Sequence, residues 1–244
     1  MVARLSTEYQ RTPVVIVTDS SGAIPEQYRE QSISSEQLQY IQRLLCDLEP
    51  VHNALIKESH AAGILPSVSK LIIDVHENID SPNLFVQRIG DLLIMDNAHL
   101  SEEEENFRIE EFYIEYHAAL RRVLYATTEQ HGKAFLLYIK KIHQFHKDQE
   151  VPYDIGLVTQ SSFTFAKSFA DALADDYRVQ HNPGLFFYDV LHGPLQDCFE
   201  HGRVTALAVL INEKVVRTDQ MKERLATDLA SALAAARPEL QITR

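Results

Sequence analysis

A three-layer α/β/α sandwich around a mixed, mainly parallel sheet is the fold class this sequence predicts, and three observations carry that expectation. Short β-prone apolar runs alternate with segments of helical apolar spacing. Neither an internal repeat nor a low-complexity tract interrupts the alternation. The 244 residues, 45% hydrophobic and 24% charged, suit one α/β domain spanning residues 1–244 with a sizeable core.

The elements follow in order. Val14 to Val17 reads as a first buried strand, and Ser35 to Leu45 as a helix capped by Ser34 or Ser35. A second helix is expected over Val51 to Ala62, stopping near Gly63, with Asp47 as a candidate N-cap. Leu71-Ile72-Ile73-Asp74-Val75 reads as a short strand buried on both faces. The longest helix is expected from about Glu102 to Glu129, because Ile109, Phe112, Tyr113, Tyr116, Leu120, Val123 and Leu124 form one apolar stripe. Ser101 is its N-cap, the Glu102–Glu105 run faces the positive end of the helix dipole, and Gly132 is placed to cap the C terminus. Further strands are expected at Phe135 to Ile142, Ile155 to Thr159, Tyr177 to Gln180 and Val204 to Ile211. Helices are expected near Phe163 to Ala174 and over Asp219 to Ala235, and Pro183 to Gly202 as a crossover loop.

Composition narrows the function. A net charge of -12 disfavours a nucleic-acid partner, which needs clustered Lys and Arg against phosphates. No apolar run approaches the roughly 18 residues that span a bilayer, and the first residues lack the apolar core of a secretory signal. The expectation is a cytoplasmic protein that meets a small-molecule substrate or ligand, with no membrane partner. Cys46 and Cys198 are too few for a disulfide scaffold or a zinc cluster and read as small apolar side chains.

The candidate chemistry lies at strand ends, where α/β proteins build their sites. Asp19, Ser20, Ser21 and Gly22 follow the first strand and offer a carboxylate, two hydroxyls and main-chain N–H groups; a plain turn rich in Asp, Ser and Gly is the other reading. His143 ends the Phe135–Ile142 run, where a neutral imidazole held rigidly suits a metal. His146 reads as a surface residue, since positions three apart in an extended chain point to opposite sides. Asp74, flanked by His76 and Glu77, either orients a ligand or caps the next turn. Nucleotide-binding, zincin, nucleophile-elbow and dinucleotide signatures are all missing.

At these residues the chain resembles the N-formylglutamate amidohydrolase family, whose α/β fold is akin to that of zinc-dependent exopeptidases. Val17-Thr18-Asp19-Ser20-Ser21-Gly22-Ala23-Ile24-Pro25 resembles its Pro-His-Ser/Ala-Gly-x-x-Ile-Pro turn, and Ser69-Lys70-Leu71-Ile72-Ile73-Asp74 its Ser-Arg-Leu-Val-Ile-Asp segment. Phe112 to Leu120 is similar to Phe-Tyr-x-x-Tyr-His-x-x-Leu, and Ile142-His143-Gln144-Phe145 to Ile-His-Ser-Phe. Asp154-Ile155-Gly156-Leu157 and Asn182-Pro183 are similar to the strand and Asn-x-Pro loop that follow. A shorter likeness joins Ile16 to Ser21 with the opening of the DegV fatty-acid-binding family, and nothing downstream extends it.

The resemblance implies metal-dependent hydrolysis of a small N-acyl or N-formyl amino acid amide bond. Zinc would lie on Asp19, His143 and Asp47, Glu213 would serve as general base, and Ser20, Ser21, Asp74, His76 and Asn182 would position substrate. The chain departs from the pattern in places that matter. The family's first histidine is Asp19 here, its Asn-Arg after the Asp segment is His76-Glu77, and its Glu-Ile-Arg falls at Leu210-Ile211-Asn212. Loss of those arginines removes bidentate partners for substrate carboxylates and disfavours N-formylglutamate itself. A member that keeps the scaffold and only binds a small molecule or protein is the second expectation.

Overall fold

The computed structural model describes residues 3–6, 11–19, 22–28, 48–89, 92–146, 149–159, 161–184 and 202–237. The expected helix over Ser35 to Leu45, the side chains of Asp47, Ser20 and Ser21, and both cysteines lie outside these residues.

In chain order the first elements are β1 (Ala3–Ser6), β2 (Val14–Thr18), α1 (Glu49–Ser59) and β3 (Ala62–Pro66). Two short hairpin strands follow, β4 (Arg88–Ile89) and β5 (Leu92–Leu93), then α2 (Met95–Ala98), α3 (Glu102–Arg108), a π-helical turn (Ile109–Ile114) and α4 (Glu115–His131). Next come β6 (Ala134–Ile142), a second small hairpin of β7 (Phe145–His146) and β8 (Gln149–Glu150), β9 (Ile155–Val158), α5 (Phe163–Asp171) and β10 (Val179–His181). The described chain closes with β11 (Val204–Asn212) and α6 (Asp219–Ala236).

Seven strands form one sheet in the order β1-β3-β2-β6-β11-β9-β10. The central four, β3, β2, β6 and β11, are parallel; β1 pairs antiparallel to β3, and β9 antiparallel to β11. Alternation along β2 and β6 divides the core between two faces. Val15, Val17, Leu136 and Tyr138 pack with Tyr116, Leu120 and Leu124 of α4. Val14, Ile16, Phe135, Leu137 and Ile139 pack with Leu55 of α1, Phe169 of α5 and Leu229 of α6. Helices therefore cover both faces of the mixed sheet, as the alternation of elements predicts. No helix among the described residues is long and apolar enough to cross a membrane.

Three expectations are corrected. The helix read as Val51 to Ala62 ends at Ser59, with His60 in the left-handed region (φ 54°), and Ala62–Pro66 is the buried strand β3. Gly63 is no helix cap: it lies where α1 presses on the sheet, and a Cβ there would collide with Ile56 and His52. The apolar run Leu71 to Val75 is not a strand. Its main chain turns on Ser69, whose carbonyl accepts from Ile72 N–H (2.9 Å), and Asp74 N–H donates to Leu84 O (2.8 Å). Side chains meet its other carbonyls: Asn97 donates to Leu71 O (2.8 Å), Arg108 to Ile72 O (3.0 Å), and His117 Nε2 lies 2.9 Å from Val75 O. Apolar side chains bury this segment as a strand would be buried, but the hydrogen bonds come from helices. Finally, the long helix is interrupted by the π-helical turn, while Ser101 caps its start (Glu104 N–H to Oγ, 3.2 Å) and Gly132 its end (φ 78°), as expected.

Arg108 is the buried hub of this arrangement, 1% exposed. Its Nε donates to Glu104 (2.6 Å), its Nη1 to Ile72 O and to Asn97 Oδ1 (2.9 Å), and its guanidinium lies 4.8 Å from the Tyr28 ring centre. Arg108→Met is expected to destabilise the fold by about 2–4 kcal/mol in urea denaturation, because buried acceptors lose their donor. A loss under about 1 kcal/mol would contradict the hub role.

Buried histidines make stability pH-dependent. Burial, chiefly, holds His52 at about 3; its Nδ1 lies 2.8 Å from Thr18 Oγ1. Burial likewise holds His117 at about 3. Both folded values lie below the ordinary 6.5, so the unfolded chain takes up protons that the native state refuses. Stability is expected to fall as pH drops below about 6.5, by about 1.4 kcal/mol per pH unit for each histidine. Urea midpoints measured across that range check this, with a reduced slope in His52→Gln; a flat profile would refute it.

Candidate functional site

The four parallel strands all end at one edge of the sheet. Asp19 follows β2, the Ser67–Lys70 segment follows β3, His143 follows β6 and Glu213 follows β11. A carboxylate, an ammonium and an imidazole thus reach one edge by topology alone.

The turn after β2 is fastened to the chain after β3. Gly22 N–H donates to Val68 O (3.1 Å), Ala23 N–H to Ser67 O (3.0 Å) and Ser69 N–H to Ala23 O (2.9 Å). Only glycine permits this approach at position 22, since a Cβ would fall on the Ser67 main chain. The consequence is that Lys70 meets Asp19 in an ion pair and lies 3.6 Å from Asp74 Oδ2. Asp19 N–H is held by Ile139 O of β6 (2.7 Å). Asp74 in turn accepts from His76 N–H (3.0 Å), and Lys140 Nζ lies 4.0 Å from Glu77.

These groups are buried: Asp19 and Asp74 are each 8% exposed and His76 is 9% exposed. Burial pushes the Asp19 carboxyl up, but the positive field of Lys70, with His76 and Lys140 behind it, outweighs this and holds Asp19 at about 2. Burial lowers His76 to about 4, more than the facing Asp19 and Asp74 raise it, so the imidazole is neutral at pH 7. Burial works against the Lys70 ammonium too, yet Asp19 and Asp74 raise its pKa above the usual lysine range. The floor of the cluster is aromatic, with the His76 ring 5.5 Å from that of Tyr116 and 5.7 Å from that of Tyr138.

His143 and Glu213 form a second group at the same edge. The pairing of Asn212 with Ile142 sets the two strand ends side by side. His143 Nδ1 lies 3.3 Å from Glu213 Oε2, and Gln144 N–H donates to Glu213 Oε1 (3.1 Å). Burial raises the Glu213 carboxyl, but Gln144 N–H and His143 together bring it below the ordinary carboxylate range. Asn212, fully buried, donates to Tyr153 O (3.0 Å) and accepts from Lys214 N–H (3.2 Å), which fixes the turn carrying Glu213. The His143 side chain is 80% exposed.

The structure therefore brings Asp19, Asp74 and His76 together, and separately pairs His143 with Glu213. Among the described residues no hydrogen bond or ion pair links Asp19 to His143. Asn182 is not part of this edge: β9 runs against β11 and β10 alongside β9, so their ends lie toward the opposite edge, where Asn182 accepts from Thr159 N–H (3.2 Å). Lys70, Lys140, Tyr116 and Tyr138 lie against these candidate residues and were not singled out by sequence reading. The signals available were the spacing of Lys70 four positions before Asp74 and the places of Lys70 and Tyr116 within the family-like segments.

The profile of the N-formylglutamate amidohydrolase family matches residues 12–185. No curated protein gives a significant match. Among solved structures, a gene product of Agrobacterium tumefaciens superposes with a TM-score of 0.83 at 16% identity, covering 98% of this chain and 96% of that one. The N-formylglutamate amidohydrolase from Ralstonia eutropha JMP134 superposes with a TM-score of 0.74, also at 16% identity, covering 98% of both chains. At that identity the two structures speak for the shared fold, and the profile, which spans more than half of the sequence, assigns the kinship: the chain belongs to the N-formylglutamate amidohydrolase family.

Proposed function

We propose that the chain hydrolyses the amide bond of a small N-acyl or N-formyl amino acid at the C-terminal edge of β2, β6 and β11. The observation that supports this reading is the pairing of His143 with Glu213 beside the strand end that carries Asp19. With Nδ1–H donated to Glu213, the imidazole keeps Nε2 to accept a proton from an attacking water, and Glu213 stabilises the resulting cation. The exposure of His143 leaves that nitrogen open to solvent and substrate. The Asp19–Lys70–Asp74 cluster, with His76, forms the wall against which substrate is positioned.

Zinc, the cofactor that the resemblance implies, would polarise the scissile carbonyl and activate water when bound. Asp19 and His143 are the candidate donors that the structure describes, and each has another partner: Lys70 neutralises Asp19, and Glu213 holds His143. No three His, Cys, Asp or Glu side chains group as a cation site among the described residues. As arranged, these residues do not fit a shared zinc ion, and proton transfer is assigned to the chain's own groups.

A second reading, binding of a small molecule without turnover, is favoured by Lys70 itself. Its ammonium already supplies positive charge between Asp19 and Asp74, where a metal-dependent member would need Asp19 as a donor.

A panel of N-formyl and N-acyl amino acids, assayed for hydrolysis alongside the zinc content of the purified protein, separates the readings. Turnover is expected, and His143→Ala and Glu213→Gln should each lower it by about 10²-fold or more. Ligand binding without turnover would leave the second reading; turnover unchanged in both variants would remove the proton-transfer assignment.

A further inference from the structure

Three polar atoms beside the charge cluster have no hydrogen-bond partner among the described residues although each is shut off from solvent: His76 Nε2, Tyr116 Oη and Tyr138 Oη. Leaving one buried polar group unmet costs about 1–3 kcal/mol, and native structures meet nearly all of them with protein, water or ligand. Three such atoms together mark a place that ordered water or a ligand fills. The rings come from three separately anchored elements. Tyr138 lies on the central strand β6, 2% exposed, and Tyr116 on α4 just after the π-helical turn, fully buried. His76 is held through its main-chain N–H on Asp74. A π-helical turn within a longer helix is itself frequent at functional sites.

We propose that His76, Tyr116 and Tyr138 form a subsite for an uncharged carbonyl, the acyl end of the ligand, with the two phenol hydroxyls as donors. This inference rests on the amide-directed reading above and deepens it by naming the group recognised. The charges that face the subsite select for neutrality. Asp19, Asp74 and Glu77 bear on it from one side of the balance, Lys70 and Lys140 from the other, so two positive and three negative charges leave a net of -1. A carboxylate entering here would meet that excess, whereas a carbonyl needs only donors. Burial, reinforced by Asp19 and Asp74, raises both phenols well above their ordinary range, which keeps them protonated as donors. His76 and Lys70 are the more exposed members of the group, and the two tyrosines lie deepest.

Calorimetric binding of N-acetylleucinamide and of N-acetylglutamate to the Glu213→Gln protein tests the proposal, with Tyr116→Phe, Tyr138→Phe and the double variant in the same background. The neutral probe is expected to bind in preference to the dianion, and the double variant to weaken it by about tenfold or more. Melting temperatures should stay level or rise, because removing an unmet hydroxyl takes away no bond. Equal affinity across the variants, no binding of the neutral probe to the parent, or a fall in melting temperature in both single variants would overturn the subsite. Tyrosine-dependent binding without turnover in the unmodified protein would sink the hydrolase reading and leave the subsite standing. Turnover with an unchanged KM in the Phe variants would do the reverse.

Discussion

The Lys70 ammonium between the carboxylates of Asp19 and Asp74 is the contact on which this edge of the sheet depends. It joins the end of β2 to the irregular segment after β3, and it is the charge that holds the Asp19 carboxyl below its ordinary range in a place largely closed to water. The surrounding fastenings serve the same junction. Gly22 lets the two chains touch, while Asn97, Arg108 and His117 reach from the helices to satisfy carbonyls between Leu71 and Val75. His76 is delivered to its tyrosine floor as a result.

The same contact shapes what the site can do. An ammonium that neutralises Asp19 withdraws it from the donor set a divalent cation would use, and the pairing of His143 with Glu213 does likewise at the neighbouring strand ends. Two local charge arrangements therefore stand side by side at one edge, a buried one around Lys70 and an exposed one at His143 and Glu213. The excess of acid over base around His76 also explains in physical terms why the lost arginines matter. A site for a dicarboxylate needs surplus positive charge, and this one has none to spare.

Much of the architecture was legible because periodicity reports burial, and burial on both faces of β2, β6 and β11 leaves unbroken apolar runs. The failures share one cause: periodicity does not say where main-chain hydrogen bonds go. Leu71 to Val75 reads as a strand and is buried like one, yet its carbonyls are met by Asn97, Arg108 and His117 from elements distant in sequence. Gly63 looks like a helix stop but is a close-packing position in β3. Asp19, Asp74, His76, His143 and Glu213 were candidates from strand ends and family likeness, and the fold carries them to one edge of the sheet. Lys70 and the hydroxyls of Tyr116 and Tyr138 acquire meaning only through contacts across the fold. Asn182 shows the opposite error, since direction reversal between β11 and β9 carries it away from the edge its place in the sequence suggested.

The most direct test of the Lys70-centred account is the titration of the Asp19 carboxyl, followed by carbon-13 NMR in the unmodified protein and in Lys70→Met. Asp19 is expected to titrate at about 2 in the unmodified protein and to move sharply upward in the variant, where burial loses its principal opponent. An Asp19 carboxyl that titrates at or above its ordinary 3.8 with Lys70 in place, or that does not respond to the loss of Lys70, would contradict it.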